Sequence, residues 1–289
     1  MTARRPLTAG IHLPQAGPAA SGEAMRRVAV LAERLGYADV WLSDHLVVPT
    51  GVDYPPSAYV YEPLVAMAWV AAATNRVRIG TTVLVLPMRN PLHVAKAVAS
   101  VDQMSGGRVI LGTAAGWLKA EFDALGVPFE TRGARTDEAI EILRRVWTDD
   151  HITADYPIHH AHLRSIRALP RPIGHLPIWV GGHADVALER AIRVGDGWHG
   201  AFLTPEQTRR RVTKLRGKRP EVEFAISMRT RWDPLIDDHD TILAELDHYI
   251  AVGVDHFVPE PRQRTLDGYL RSTEVQAELF RRAGFEMAT

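Results

Sequence analysis

The chain has 289 residues, with Lys plus Arg and Asp plus Glu both at 34, so the formal net charge is zero and no net field draws it to nucleic acid or an anionic membrane. Cysteine is absent, which excludes disulfides, thiolate metal sites and a cysteine nucleophile together. The length suits one α/β barrel of roughly 250 residues or more as a single domain over residues 1–289, with small-molecule chemistry as the default expectation.

The opening Met1-Thr2-Ala3-Arg4-Arg5-Pro6 is basic, but no apolar run follows it, and no later stretch reaches the ~18 apolar residues of a membrane span, so a cytoplasmic enzyme is expected. Short apolar runs then alternate with longer amphipathic segments, the pattern of a parallel sheet with helical crossovers. Leu7 to Leu13 reads as the first strand and Glu23 to Leu35 as its helix, stopped by Gly36. Asp39 to Ser43 is the second strand, followed after a long loop by a helix over Glu62 to Ala73. Val77 to Val85 is nearly continuously apolar, as a strand buried on both faces is, and a helix then runs to Met104. Ser105-Gly106-Gly107 turns the chain into a fourth strand, Val109 to Thr113, and Ala134 to Trp147 is the fourth helix.

The proline-rich segment between that helix and the fifth strand, Ile178 to Val180, reads as an excursion over the barrel mouth. A helix from Ala184 to Gly195 and a strand Gly197 to Gly200 follow. Thr204-Pro205-Glu206-Gln207 is a capping box with proline at the first helical position. Glu223 to Arg229 and His256 to Val258 are the last two strands, each followed by a helix, over Asp240 to Gly253 and Thr265 to Ala283. Eight such units predict a closed (β/α)₈ TIM barrel rather than an open sheet, and Pro14-Gln15-Ala16-Gly17-Pro18 stands where a dinucleotide-binding fold has its glycine fingerprint.

In a barrel the chemistry sits in the loops after the strands. Asp44-His45 follows the second strand and reads either as a titratable pair at the mouth or as a capping Asp with a packed His. Gly181-Gly182-His183 leads from strand to helix, a pattern that brings backbone N–H groups to a phosphate or simply makes a tight turn. Small residues end the third and fourth strands and leave room for a planar ring, with Trp117 as its wall, or else fill barrel layers. His159-His160-Ala161-His162 lacks the further ligands of a zinc site and reads as a rim segment or substrate cover, so no metal is expected.

Five motifs in order, Ala38 to His45, Arg78 to Leu84, Met104 to Gly112, Pro177 to Gly182 and Gly195 to Trp198, resemble the luciferase-like monooxygenase superfamily, most closely its coenzyme F420-dependent oxidoreductase branch. The resemblance runs from Leu7 to about Phe285. It implies that Asp44 contacts the deazaflavin ring and that His45 faces the reactive carbon. It also aligns Thr82–Val83 with a non-prolyl cis peptide, places Gly116 and Trp117 in the ring pocket, and gives the phosphate to Gly181, Gly182 and His183. A homodimer acting on a small molecule is implied as well. The sugar-phosphate dehydrogenase branch is matched poorly: Leu46-Val47-Val48-Pro49 follows the His, Trp117 replaces an expected acid, and only four lysines are present. An FMN-dependent monooxygenase fed by a separate reductase and a non-catalytic flavin-binding barrel are the alternatives.

Overall fold

The computed structural model describes residues 5–51, 55 and 57–287; residues 1–4 of the basic opening lie outside them, as does part of the long loop after the second strand. Strands β1 (Thr8–His12), β2 (Asp39–Leu42), β3 (Arg78–Thr81), β5 (Val109–Ala114), β8 (Ile178–Gly181), β9 (Gly197–Ala201), β10 (Ala225–Thr230) and β11 (His256–Pro259) pair in parallel. Pairing of Ile79 with Val109 and Gly80 with Ile110 joins β3 to β5 and closes the circle, an eight-position barrel. The strand read over Val77 to Val85 is interrupted by a cis peptide bond at Thr82–Val83, and its continuation β4 (Leu84–Val85) pairs onward with Thr113 and Ala114.

Alternation along each strand sorts the apolar residues into two cores. Val40, Leu42, Ile79, Val109, Leu111, Ile178, Val180, Ile226 and Phe257 belong to one shell with the helices. Trp41, Ile110, Trp179, Ala225 and Val258 form a separate cluster that fills the barrel axis. Trp41 fits there because its neighbours on β1 and β3 are glycines: a Cβ on Gly10 or Gly80 would come within 2.5 Å of the indole.

The helices follow from ordinary start and stop signals. Helix α1 (Gly22–Leu35) is capped by the Ser21 hydroxyl and ends at Gly36 in the left-handed conformation, and α7 (Pro205–Arg216) carries both halves of the Thr204/Gln207 capping box. Strand β10 begins at Ala225, two residues after the expected start.

The excursion is corrected by the structure. Residues 152–166 form an antiparallel hairpin, β6 (Ile152–Tyr156) with β7 (Ala161–Ile166), that packs on helix α5 (Arg132–Thr148) and not over the mouth. Ile152, Tyr156 and Leu163 join the helix-side core, while Glu138 of α5 accepts from the backbone N–H groups of Ile158 and His159 and pairs with the His159 ring at 2.6 Å. Within the histidine cluster His159 is therefore tied to α5, His162 pairs with Asp155 of the hairpin itself, and none of the three lines the cavity at the mouth. Among the described residues no group of three or more His, Cys, Asp or Glu is placed to hold a metal ion, and no helix is long and apolar enough to cross a membrane.

Barrel closure gives a direct test. A Cβ at Gly112 of β5 would lie 1.8 Å from the Thr81 carbonyl oxygen, a backbone atom held in the sheet. Gly112→Ala is expected to lower the unfolding free energy in denaturant titration by at least about 2 kcal/mol; an unchanged midpoint would contradict the tight β3–β5 seam.

Candidate active site

Asp44, His45, Thr82, Val83, Gly116, Trp117, Gly181, Gly182 and His183 come from four different strand ends and all line one cavity of about 750 Å³ at the C-terminal mouth of the barrel. Residues 150–176 contribute nothing to its walls. The volume lies within the range of small-molecule and cofactor pockets.

His45 is the best-positioned titratable group. Its Nδ1 lies 2.9 Å from Glu121 Oε2, and Glu121 Oε1 accepts from the backbone N–H groups of Leu46 and Val47, at 2.8 and 3.3 Å. One buried carboxylate therefore holds both the ring and its loop. An acceptor at Nδ1 puts the proton there and leaves Nε2 of the neutral ring as a base. Trp117 stands more than half exposed, edge-on to the imidazole at 6.4 Å.

Asp44 is differently employed. Its carboxylate has no exposed surface and takes hydrogen bonds from the Arg89 guanidinium, at 2.5 and 3.3 Å, and from Val85 N–H at 2.9 Å. Burial raises its carboxyl above the ordinary value, against the pull of Arg89 and that N–H. Oδ2 thus braces the short strand that follows the cis peptide, while Oδ1 is taken by Arg89.

At the opposite wall Gly182 has φ +119°, and a Cβ there would meet Ala187 Cβ at 2.7 Å. On Gly181 a Cβ would stand 2.9 Å from Val83, and on Gly116, at φ +80°, one would meet Val85 and Phe122. Side chains are therefore excluded at three points around the cavity. Helix α6 (Asp185–Val194) starts beside this loop at Ala184, which supplies no capping oxygen to the first-turn N–H groups. His183 Nε2 faces Ala201 N–H at 3.4 Å, and burial, then Arg211, lowers its pKa.

A sequence model of the luciferase-like monooxygenase family matches residues 7–289. The chain belongs to that family. An uncharacterised Mycobacterium tuberculosis protein is 34% identical over 209 residues, 67% of this chain and 70% of that protein. An F420-dependent glucose-6-phosphate dehydrogenase of Kineococcus radiotolerans is 37% identical over 175 residues, 59% of this chain and 50% of the enzyme. An FMNH₂-dependent dimethylsulfone monooxygenase of Pseudomonas putida is 27% identical over 196 residues, 67% and 52% of the two chains. Of solved structures, a Streptomyces bottropensis monooxygenase superposes with a TM-score of 0.80 at 22% identity, over 96% of this chain and 99% of its own. An F420-dependent secondary alcohol dehydrogenase gives 0.76 at 20% identity, over 94% and 99%. These two likenesses establish the luciferase-like fold.

Sequence reasoning missed two polar residues of the site, Glu121 and Arg229. Glu121 lies on a helix of only six residues, α4 (Lys119–Ala124), too short for periodicity to reveal. Arg229 donates to the Thr82 carbonyl at 2.9 Å and pairs with Glu260; His12, a strand-end histidine outside the cavity lining, reaches Ser43 Oγ at 2.8 Å. The signal for Arg229 was its register: it stands two places after Ser227 on β10 and therefore on the same face of the strand.

His12 makes acid stability measurable. Burial, and then the Arg229 charge, lowers its pKa to about 3. Unfolded, it titrates near ~6.5. Between these values the unfolded chain binds more protons, so the His12 contribution is full above about pH 6.5 and is lost as pH falls toward 3, by up to about 1.4 kcal/mol per pH unit. His199 acts in the same sense, while the raised Asp44 and Asp255 act oppositely. The difference between wild type and His12→Gln isolates one group: the variant is expected to lose less stability between pH 6.5 and 4, and parallel curves would contradict the assignment.

Proposed function

We propose that the chain is a coenzyme F420-dependent oxidoreductase that moves a hydride between the deazaflavin and a small organic substrate, with His45 as proton donor and acceptor. The observation that carries this reading is the convergence of the Glu121-held His45, the Thr82–Val83 bond and the Gly181-Gly182-His183 loop on one cavity.

The residues present fit such a group. Ala114, Ala115, Gly116 and Gly181 leave flat space beside Thr82 and Val83 for a ring, and Trp117 closes its rim. The uncapped start of α6 and the side-chain-free approach at Gly182 suit a phosphate. When bound, the deazaflavin supplies a ring carbon that gives or accepts a hydride. His45 Nε2 takes the proton of a substrate that loses hydride and returns it in the reverse direction; Glu121 stabilises the imidazolium formed. Asp44 and Arg89 hold the wall rather than the proton.

F420 is favoured over FMN by the Ser43-Asp44-His45 and Gly80-Thr81-Thr82-Val83 motifs and by the higher identity to the F420-dependent relative, 37% against 27%. The cations lining the cavity are arginines 132, 190, 229 and 231, with no lysine, which argues for a substrate other than a sugar phosphate gripped by lysines.

Fluorescence and calorimetric titration of the protein with F420 and with FMN tests the cofactor. F420 is expected to bind at least about tenfold more tightly, a difference of ~1.4 kcal/mol, and Gly182→Val to weaken it by about the same factor. Tighter FMN binding would turn the reading to a monooxygenase. For mechanism, His45→Ala is expected to retain cofactor affinity while turnover falls by ~10²-fold or more; parallel loss of both would make His45 a structural residue.

A further inference from the structure

The barrel axis holds an uninterrupted hydrogen-bonded chain that none of these roles uses. Asp39 Oδ1 lies 2.8 Å from His256 Nε2, and His256 Nδ1 lies 2.7 Å from Ser227 Oγ. Ser227 Oγ is in turn 2.7 Å from His199 Nδ1, and His199 Nε2 is 2.7 Å from Thr82 Oγ1. Its members come from β2, β11, β10, β9 and the end of β3, and none is more than 5% exposed. The Trp41 ring stacks on His199 at 5.0 Å and 5° and leans on His256 at 5.6 Å, with Trp179 edge-on to His256 at 5.0 Å. The two imidazoles are packed in place.

Valence sets the direction of every bond. An ionised carboxylate only accepts, so His256 Nε2 carries a proton. Asp39 is ionised: burial would raise its pKa, but the hydrogen bond from His256, the Arg78 charge and the hydrogen bond from the Trp41 indole hold it well below the ordinary range. Arg78, 2.7 Å from the second oxygen, already balances the charge, so a neutral His256 leaves the buried cluster without net charge. Its Nδ1 is then bare and accepts the single proton of Ser227. Ser227 must accept from His199 Nδ1–H. His199, kept neutral by burial and by the nearby Arg229 charge, has a bare Nε2 that accepts the Thr82 proton.

We propose that Asp39, acting through His256, Ser227 and His199, fixes Thr82 as a hydrogen-bond acceptor toward the cavity. Its one hydroxyl proton is committed inside the barrel, so Thr82 Oγ recognises a bound molecule only through that molecule's N–H or O–H donor. Thr82 is the specificity residue, and the four others are positioning residues. One additional proton, on His256 Nδ1, would leave the bond to Asp39 as it is, reverse the three bonds from there to Thr82, and make Thr82 a donor. The inference does not depend on which ring cofactor the cavity takes.

The tautomers are read directly by ¹⁵N–¹H correlation of the histidine side chains in the full-length protein, with Ser227→Ala to assign them. The expected result is His199 protonated on Nδ1, the form that free imidazole side chains disfavour, and His256 protonated on Nε2 alone. In Ser227→Ala, His199 loses its Nδ1 partner and shifts toward the Nε2–H form. A wild-type His199 protonated on Nε2, or a His256 protonated on both nitrogens, would overturn the proposal even if the variant failed to fold. For recognition, the probe is whichever of F420 and FMN binds the wild type. Thr82→Val is expected to weaken it at least about fivefold, the scale of one lost hydrogen bond. Unchanged affinity would remove Thr82 as a reader of the ligand while leaving the proposed function standing.

Discussion

A carboxylate with no exposed surface sits on the barrel axis, and much of the interior is arranged to answer it. Asp39 takes hydrogen bonds from the Trp41 indole at 2.5 Å, from Arg78 at 2.7 Å and from His256 at 2.8 Å. An isolated charge there would cost several kcal/mol even after relaxation. Placing three donors around it requires Trp41 to lie inside the barrel, which in turn requires glycine at positions 10 and 80. The indole so placed walls His199 and His256, and those two rings set the polarity of the residues above them. The interior therefore carries a polar chain packed among Trp41, Trp179 and a few aliphatic side chains, where many barrels of this kind are filled by branched aliphatic side chains alone.

The mouth of the barrel follows a second rule. Three polar groups of residues that line the cavity are held by partners distant in sequence: His45 by Glu121, Asp44 by Arg89, the Thr82 carbonyl by Arg229. Such bracing fixes these side chains through bonds within the protein itself, and holding groups in place is how positioning contributes to rate. Phe202, in the left-handed region at φ 55° and within 5.1 Å of the Arg229 guanidinium, is another rim residue fixed by its neighbours.

The order of elements was legible because local rules and the fold agree: Thr204-Pro205 starts a helix, Gly36 and Gly106 end two others, and the Ile178 to Val180 run lies in a strand. The cavity residues were legible because barrel chemistry lies after the strands. What escaped depends on tertiary register. His199 and His256 sit in strands too short to reveal their facing by alternation, and Glu121 meets a histidine 76 positions earlier. The 152–166 hairpin escaped because Pro157 and its three histidines mask an inward set of only Ile152, Tyr156 and Leu163, whose burial comes from α5.

A crystal structure of the protein grown with F420 tests the central claim most directly. The account predicts the deazaflavin ring against Thr82 and Val83 with its reactive face toward His45 Nε2, and the phosphate on the backbone of Gly182 and His183. A ring bound elsewhere, or one whose reactive carbon faces away from His45, would contradict it.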